Sequence, residues 1–587
     1  MLHRIIAVLA APLLLGGCTA VAPVSSVAAP APTQGAAAAN DPRAGAIGES
    51  ILRKGGSATD AGIAMLLALS VIEPQSTGLG GGGFYVHGAA DGTVDTIDGR
   101  ETAPAAAGPA WFLDGNGKPR ERRAAILSGL STGVPGNVAL AAEAWRRHGK
   151  LPWADLFAPA IALARDGFAV TPRLSGSLAS NAASAARDPA GKALFYRSDG
   201  RAPGAGSIVR LPALAETLAM IARAGPQSFY SGPFAAGLAA RVASDTPGSA
   251  AMTAEDLARY KATERPPVCV IYRLYRLCTM GPPSSGGYAV LATLKLLERF
   301  DLAALGPRNP QTWHLFLEAQ RLAYADRARW VGDPRYVAIP IAGLLDPGYL
   351  SRRSALIDSA TAMASAVPGD PPGAVALSQG EAGPEHGTTH FVAVDRHGDM
   401  VGITSTVESA FGSGLVYRGF YLNNELTDFA FLPGDSGRPA VNAVAGGKRP
   451  ASSMAPVVVY DPQGRPFLTI GAAGGGLIPV ETARALIGVI DFHLPLRDAL
   501  GLPFAMSVGR DTVLVEKGTW METLGPAFLA LGHDQVTPFG QLLRTTGALH
   551  TDAGWIAAFD PRLDSLVAIP ATPQDDPAVG AGFSEGQ

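Results

Sequence analysis

The segment Pro384-Glu-His-Gly-Thr388-Thr-His-Phe-Val-Ala-Val394 marks a change in the character of the chain. Residues 361–387 are mostly Ala, Pro, Gly and Ser with little to bury, which predicts a mobile, accessible linker. From Thr388 onward, β-branched and apolar residues predict a strand. A hydroxyl residue therefore begins a strand directly behind Gly387, at the end of an accessible linker.

The turn after this strand predicts what lies opposite Thr388. Arg396-His-Gly398 suits a three-residue hairpin loop with glycine in the left-handed position, which pairs Asp395 with Asp399. Counting back along the ladder from that pair places Thr388 opposite Thr406 on the same face. We therefore expect two threonine hydroxyls to meet at the end of the strand.

A threonine hydroxyl needs a base before it can act as a nucleophile, and no Ser-His-Asp grouping is apparent around Thr388. Cleavage between Gly387 and Thr388 would supply one, since a free α-amine has a pKa of roughly 7.7 to 8.0. Most Thr-Thr-His triplets are ordinary strand starts. A threonine nucleophile is therefore only a hypothesis from this segment alone.

The composition favours a soluble enzyme with a large core. The chain has 587 residues, a formal net charge of -3 and 47% hydrophobic residues, which is too weakly charged to indicate a nucleic-acid partner. Helical patterns dominate residues 133–352, and strand patterns follow residue 388. Each half leaves apolar faces that need the other, which predicts one intertwined α+β domain over residues 41–587.

The N-terminus is typical of an export signal. Residues 1–18 have a basic start, an apolar stretch and the ending Leu15-Gly-Gly-Cys18, which resembles a bacterial lipobox with Cys18 as the acylated residue. Residues 19–40, rich in Ala, Pro and Ser, then predict a flexible tether. Because Thr19 follows the cysteine, the resemblance implies the periplasm and outer membrane of a Gram-negative cell; an ordinary signal with a chance cysteine is the alternative.

The two other cysteines lie in one predicted hairpin. If Arg273-Leu274 is a two-residue turn, Cys269 lies opposite Cys278, and an oxidising compartment favours a disulfide between them. Free buried thiols are the alternative. No His or further Cys lies at ligand spacing nearby, so we expect no metal site, and no motif indicates a cofactor.

Ordered motifs along residues 40–587 resemble the gamma-glutamyltransferase family of N-terminal-nucleophile hydrolases. The small-subunit motifs are Thr388-Thr-His-Phe, Thr404-Ser-Thr406, Phe411-Gly-Ser-Gly414, Leu422-Asn-Asn-Glu-Leu-Thr-Asp-Phe429, Lys448-Arg-Pro-Ala-Ser-Ser-Met454 and Gly471-Ala-Ala-Gly-Gly-Gly476. The large-subunit motifs are Gly55-Gly-Ser-Ala-Thr-Asp-Ala61, Gly78-Leu-Gly-Gly-Gly-Gly-Phe84, Arg100-Glu-Thr-Ala-Pro104, Val134-Pro-Gly136, Ala164-Arg-Asp-Gly167 and Pro282-Pro-Ser-Ser-Gly-Gly287.

This resemblance implies a four-layer αββα sandwich that cleaves itself before Thr388. Residues 41–387 would form the large subunit and residues 388–587 the small catalytic subunit of a heterodimer. Thr388 would be the nucleophile and Thr406 would orient it. Gly474 and Gly475 would donate backbone N–H groups to the oxyanion, where only glycine lets the backbone approach closely.

The resemblance also implies a binding site for a γ-glutamyl group, which carries a free α-carboxylate and a free α-ammonium. Arg100 would bind the carboxylate, and Ser452 and Ser453 would donate hydrogen bonds to it as well. Glu425 and Asp428 would hold the ammonium. Without the resemblance, Arg100-Glu101 is more often a surface pair.

One residue departs from the family pattern. Glu408 stands where the family commonly has asparagine, two places after Thr406, and would add negative charge near the substrate. The segment between Phe429 and Lys448 also looks shorter than in relatives with a lid, and Phe431 is its only aromatic residue. An open pocket could admit bulkier amides.

The implied activity is γ-glutamyl transfer and glutathione hydrolysis, with water, amino acids or dipeptides as acceptors and without metal or cofactor. A glutaryl or cephalosporin acylase of the same fold is one alternative, although Glu425 and Asp428 favour an amino-acid substrate. A catalytically silent peptide-binding lipoprotein is the other. Contact with a membrane is expected only through a lipid anchor.

Overall fold

The computed structural model describes residues 35–248, 250–375, 377–378, 387–435, 437–507, 512–540 and 544–570. Two six-stranded sheets form its centre, and helices cover the outer face of each. Among these described residues, no helix combines the length and the hydropathy that crossing a membrane requires. Cys18 and the predicted signal lie outside the described residues.

Twelve strands form the two sheets, and we number them in chain order. They are β1 Ala36–Ala39, β2 Gly82–Gly88, β3 Val94–Gly99, β4 Thr263–Arg265, β5 Val268–Tyr272, β6 Tyr275–Thr279, β7 Gly387–Val394, β8 Met400–Glu408, β9 Val457–Tyr460, β10 Pro466–Ala473, β11 Arg544–Thr551 and β12 Gly554–Phe559. The first sheet has the order β1-β7-β8-β2-β3-β4 and the second has β12-β11-β10-β9-β6-β5. All neighbours in both sheets are antiparallel. Both halves of the chain contribute strands to both sheets, as predicted.

The longer helices, of eight residues or more, form the outer layers. They are α1 Pro42–Arg53, α2 Ala58–Ile72, α3 Asn137–His148, α4 Trp153–Asp166, α5 Pro172–Ser180, α6 Pro212–Ala224, α7 Gly232–Ala243, α8 Ser285–Leu297, α9 Pro310–Trp330, α10 Pro347–Ser354 and α11 Ile478–Ile490. Helices α2 and α3 pack on the first sheet, and α8 and α11 pack on the second. This is the predicted αββα arrangement.

Shorter elements complete the described structure. The short helices are Arg122–Ile126, Ala182–Ala185, Pro189–Phe195, Gln227–Tyr230, Ala254–Arg259, Leu302–Leu305, Ile341–Leu344, Leu496–Leu500, Gly525–Ala530 and Asp564–Val567, and the 3₁₀ turns are Gly129–Ser131, Glu425–Asp428, Gly475–Leu477, Glu522–Leu524 and Pro561–Leu563. The short strands are Phe168–Ala169, Ile208–Val209, Val416–Tyr417, Phe420–Tyr421, Gly434–Asp435, Arg438–Pro439, Ala505–Met506, Thr512–Glu516 and Gln535–Phe539.

Alternation along β7 determines which side chains face the second sheet. Phe391 and Ala393 pack in the core beneath the helices of the first sheet, whereas Val392 and Val394 pack in the core between the two sheets. Because side chains alternate along a strand, Thr388 lies on the same side as Val392, facing the second sheet. The strand that begins with Thr388 therefore presents it at the sheet-to-sheet interface.

The tether prediction is wrong at its C-terminal end. Ala36–Ala39 is a buried edge strand that pairs with Phe391–Val394, so the sheet begins five residues before residue 41. An alanine run shows no apolar alternation, and its strand is stabilised by backbone hydrogen bonds to β7. The composition of residues 36–39 is therefore like that of a flexible linker, although the segment is a strand.

The described part of the predicted linker is anchored to the body, contrary to expectation. The backbone N–H of Met363 donates to Glu318 at 2.7 Å, and that of Gly369 donates to Asp326 at 2.8 Å. Ser378 is 1% exposed. These contacts are made to side chains distant in sequence, which the low-complexity composition does not indicate.

The cysteine hairpin is confirmed. Arg273 and Leu274 both have positive φ, at 49° and 73°, and form the two-residue turn. Cys269 lies opposite Cys278 in the ladder, and their sulfur atoms are joined in a disulfide. The alternative of free thiols is not what the structure contains.

Candidate active site

The two threonines meet as the hairpin register predicts. Thr388 pairs with Thr406 in the ladder of β7 and β8, and the Thr388 hydroxyl donates to Thr406 Oγ1 at 3.3 Å. Their exposed fractions are 1% and 3%. The loop that joins β7 and β8 also has the expected geometry. The Asp395 N–H donates to the Asp399 carbonyl oxygen, and Gly398 has φ of 89°.

Thr406 is held between the bond before Thr388 and its own strand. Its hydroxyl donates to the carbonyl oxygen of Gly387, and the Glu408 N–H donates to Thr406 Oγ1 at 2.8 Å. A β-bulge between Thr406 and Glu408 allows this second contact. In the uncleaved chain, Thr406 thus bridges the Thr388 hydroxyl and the Gly387 carbonyl.

Closely approaching glycines allow the site to form. A Cβ atom at Gly81 would lie 2.0 Å from the Thr406 carbonyl oxygen, and one at Gly80 would lie 2.2 Å from the Tyr421 carbonyl oxygen. No side chain fits at either place. The glycine run Gly78–Gly83 therefore lets the backbone lie directly against β8 and the segment after Tyr421.

Gly474 and Gly475 follow the end of β10, in the sheet that Thr388 faces. They have φ of 142° and 61°, conformations that favour glycine. The strand before them lies against β7, because a Cβ atom at Gly471 would come within 2.5 Å of the His390 ring. The turn begins three residues beyond that contact and leads into α11.

Arg100 lies at the centre of a buried charged cluster. Its guanidinium donates to the carboxylates of Glu425 and Asp428, and all three side chains are about 1% exposed. It also donates to the carbonyl oxygen of Ala451 at 3.0 Å. The interpretation of Arg100 as one member of a surface pair is therefore wrong, and the predicted carboxylate-binding and ammonium-binding residues are in direct contact.

Asn423 holds the two acids in place. Its amide nitrogen donates to the carbonyl oxygens of Gly80 and Gly133, at 2.7 and 2.9 Å, and its oxygen accepts from the Gly133 N–H. The same oxygen accepts from the Glu425 N–H at 3.0 Å. One buried amide thus ties the turn of Glu425–Asp428 to two glycine-containing segments of the large-subunit half.

Glu101 is a buried acid beside this cluster that the sequence argument did not assign. Its side chain is 0% exposed, and burial raises the pKa of its carboxyl to about 8, against the opposing effect of Arg100. Near neutral pH it is therefore mostly protonated and uncharged. Its place directly after Arg100 in Arg100-Glu-Thr-Ala-Pro104 was the available signal.

Glu408 is buried, and its carboxylate lies against Asn424. Its carboxylate accepts hydrogen bonds from the Asn424 amide and, at 2.5 Å, from the Ser409 hydroxyl. Its φ is 75°, a left-handed conformation at the bulge. Asn424 is a contact residue that the sequence argument did not single out.

The predicted serine pair, Ser452 and Ser453, directly follows Ala451, whose carbonyl oxygen accepts a hydrogen bond from Arg100. The Ser452 hydroxyl accepts from the Met454 N–H at 3.2 Å, and the Ser453 hydroxyl accepts from Arg327 at 2.8 Å. The backbone carbonyl of Ser452 accepts from the Ser285 N–H at 2.8 Å. The turn before α8 therefore holds this segment in position.

His390 lies two residues after Thr388 on the same side of β7. Its Nδ1 atom is 2.8 Å from the Thr404 hydroxyl, and burial lowers the pKa of its ring to about 3. The imidazole is therefore neutral at physiological pH. It supports the strand as an uncharged hydrogen-bonding group.

Comparisons with known proteins agree with this geometry. A family profile described as Gamma-glutamyltranspeptidase matches residues 44–569. The chain belongs to the gamma-glutamyltranspeptidase family. It is 34% identical over 501 residues to the glutathione hydrolase proenzyme of Escherichia coli (strain K12), covering 84% of each chain. The identity to the glutathione hydrolase proenzyme of Bacillus subtilis (strain 168) is 37% over 481 residues, or 80% of each chain.

A solved structure of a cephalosporin acylase has the same architecture. The cephalosporin acylase from Bacillus halodurans superposes with a TM-score of 0.79 at 25% identity, covering 94% of this chain and 98% of that one. The predicted N-terminal-nucleophile hydrolase fold and the predicted enzyme class are confirmed. The alternative of a catalytically silent lipoprotein is not supported by these relatives.

Proposed function

We propose that this family member cleaves γ-glutamyl amides, glutathione among them, through an ester on Thr388. The observation that carries the proposal is the hydrogen-bonded chain from the Thr388 hydroxyl through Thr406 to the Gly387 carbonyl. Attack of the hydroxyl on that carbonyl breaks the Gly387–Thr388 peptide bond and forms an ester. Water then hydrolyses the ester, leaving a carboxylate on Gly387 and a free amine on Thr388.

The freed amine is the base for turnover. With a pKa of roughly 7.7 to 8.0, it takes the proton of the Thr388 hydroxyl as that oxygen attacks the donor's γ-carbonyl carbon. The same proton passes to the leaving amine when the amide bond breaks. Water, an amino acid or a dipeptide then attacks the γ-glutamyl ester and regenerates the hydroxyl.

Gly474 and Gly475 are proposed to stabilise the oxyanion of both steps. Support comes from their glycine-specific φ values and from their position after β10, which lies against β7. Backbone N–H donors need no reorganisation when charge develops on the carbonyl oxygen. The large and small subunits, 41–387 and 388–587, would remain together, since both sheets take strands from both.

The charge of the Arg100 cluster favours an amino-acid donor. Arg100, Glu425 and Asp428 have a formal net charge of -1 when both carboxylates are ionised, while Glu101 is mostly neutral near pH 7. A γ-glutamyl group adds an α-ammonium for the acids and an α-carboxylate for Arg100, with Ser452 and Ser453 nearby. A glutaryl group adds only the carboxylate, which these acids repel.

A cephalosporin or glutaryl acylase is the second candidate, because the acylase of Bacillus halodurans shares the architecture over most of both chains. The experiment compares γ-glutamyl-p-nitroanilide with glutaryl-p-nitroanilide, each with and without glycylglycine. We expect turnover of the γ-glutamyl compound and an acceleration by the dipeptide if transfer competes with water. Preference for the glutaryl compound would overturn the donor assignment, and Thr388→Ala is the inactive control.

Export and lipid anchoring are proposed from the sequence. The basic start, the apolar stretch and Leu15-Gly-Gly-Cys18 support acylation of Cys18 and attachment to the outer membrane of a Gram-negative cell, facing the periplasm. The Cys269–Cys278 disulfide is consistent with an oxidising compartment. Mass spectrometry of the mature N-terminus tests this, and an unmodified Cys18 in the membrane fraction would contradict it.

A further inference from the structure

Three side chains converge on the outer face of the first sheet, away from the threonine pair. His87 on β2 lies directly opposite Asp95 on β3, and His148 is the last residue of α3, which packs over both strands. The two imidazole rings stack with centroids 4.0 Å apart. Asp95 Oδ2 lies 3.9 Å from His87 Nδ1 and 3.4 Å from His148 Nε2.

Within the described part of the chain, the nitrogens His87 Nδ1 and His148 Nε2 have no other hydrogen-bond partner. His87 is 4% exposed, and neither its Nδ1 nor Nε2 of His148 makes a hydrogen bond of normal geometry to any described residue. Buried polar atoms of this kind ordinarily have partners. Both nitrogens instead lie within 3.9 Å of a single carboxylate oxygen, Asp95 Oδ2.

We propose that His87, Asp95 and His148 bind one zinc ion. Their ligand atoms all lie within 4.8 Å of one another. Zinc binds imidazole nitrogen and carboxylate oxygen at about 2.0 to 2.2 Å, which places tetrahedral ligand atoms roughly 3.3 to 3.6 Å apart. The two rings are stacked in this structure, so binding requires side-chain rotations that bring both ring planes onto the ion. The partly exposed side of the cluster leaves the fourth position to water.

Surrounding charges hold the carboxylate in position for the ion. Arg147 donates to the other oxygen of Asp95 at 3.1 Å, which leaves Oδ2 free for the metal. The positive charge of Arg147 is balanced by Glu264, 2.6 Å away. His148 also lies at the C-terminal end of a helix, where a cation is favoured.

The site is structural rather than catalytic. Gly82 pairs with Thr406, and His87 lies five residues along the same strand, or roughly 16 Å at the ordinary rise of a strand. An ion there would fasten the end of α3 to the hairpin of β2 and β3. We expect zinc to raise the thermal midpoint of unfolding while leaving turnover unchanged, because a ligand that binds only the folded state stabilises it.

The lack of His or further Cys residues at ligand spacing near Cys269 and Cys278 predicted no metal site. The three ligands are separated by eight and 53 residues, with no motif connecting them. Only the strand pairing and the packing of α3 place them together. The proposal is independent of the donor substrate.

The test uses the mature, tag-free enzyme after treatment with EDTA. Zinc chloride is titrated by calorimetry and by thermal unfolding, with His148→Gln and Asp95→Asn as site variants and His550→Gln, an exposed histidine on β11, as the matched control. We expect one zinc per heterodimer for the wild type and the control, with affinity about tenfold or more weaker in both site variants. Cobalt bound to the wild type should give the intense visible bands of a four-coordinate site.

The proposal is overturned if the wild type shows no saturable one-site binding of zinc, or if both site variants bind zinc as tightly as the wild type. Should His148→Gln fail to fold, Asp95→Asn and the cobalt spectrum of the wild type decide. A weak, six-coordinate cobalt spectrum counts against the site.

Discussion

The threonine pair and the arginine cluster are both buried, but they are assembled over very different distances along the chain. Thr388 contacts Thr406 across 18 residues of one hairpin, whereas Arg100 contacts Glu425 and Asp428 across 325 and 328 residues. The proposed nucleophile is thus positioned by a local register, and the proposed binding site by packing of both halves. This contrast predicts that self-cleavage and substrate recognition can be separated by mutation.

The largest expected effect is on the local pair. Thr388→Ala should leave one full-length polypeptide on a denaturing gel and no detectable hydrolysis, because the attacking hydroxyl of both reactions is gone. Thr389→Ser is the matched control, since Thr389 faces the other way and accepts from Asn40 at 3.2 Å. Ordinary two-band processing of Thr388→Ala would contradict the proposed maturation.

The arginine cluster should respond in the opposite manner. Arg100→Lys keeps the charge but loses the fork that contacts two carboxylates, so we expect normal cleavage into two chains and a fall in kcat/KM of about 100-fold, equal to two charged hydrogen bonds at the low end of their range. Gel analysis and donor kinetics measure the two quantities. Arg497→Lys, in an exposed ion pair with Asp564, is the control. If Arg100→Lys failed to self-cleave, self-cleavage and substrate recognition would not be separable by mutation as predicted.

Glu408 lies at the boundary between these regions and sharpens the comparison. Its backbone N–H supports Thr406, and its carboxylate binds Asn424. Glu408→Asn keeps the backbone contact, so cleavage should persist while kcat/KM changes about tenfold and the acidic limb of the pH profile flattens. Glu49→Asn, at an exposed position of α1, is the control. An unchanged KM and pH profile would show that this carboxylate does not act on the substrate.

The smallest effect concerns the stability of the threonine-bearing strand. Burial lowers the pKa of His390 to about 3, against about 6.5 in the unfolded chain, so between these values the unfolded state binds more protons. Stability is therefore complete above about pH 6.5 and falls as the pH decreases through this window. Between pH 7.5 and 5.5 we expect a loss of about 1 kcal/mol from this group.

Thermal unfolding of His390→Gln tests this stability effect. The variant should show a smaller decrease of its midpoint between these two pH values than the wild type, even if it is less stable at both. His550→Gln, which alters an exposed ring, should behave as the wild type does. An equal decrease in all three proteins would assign the acid sensitivity to other groups.

Local patterns were sufficient for the parts of the site that lie within one hairpin or one helix. A capping box between Ser57 and Asp60 starts α2, and Gly398 predicted the loop that places Thr388 opposite Thr406. Family motifs predicted Arg100, Glu425 and Asp428 as binding residues, but not that they contact one another. The place of Glu101 in the same motif as Arg100 did not indicate that its side chain is buried.

The sequence by itself determined the hairpin register, because a side-chain period of two and a turn of known length leave one pairing that buries the apolar face. Only the tertiary structure decided that Ala36–Ala39 pairs with β7, that Arg100 binds both acids, and that His148 lies over His87 and Asp95. These contacts depend on how whole layers pack, since closing loops of hundreds of residues is directed by the combined burial of many side chains rather than by any one segment.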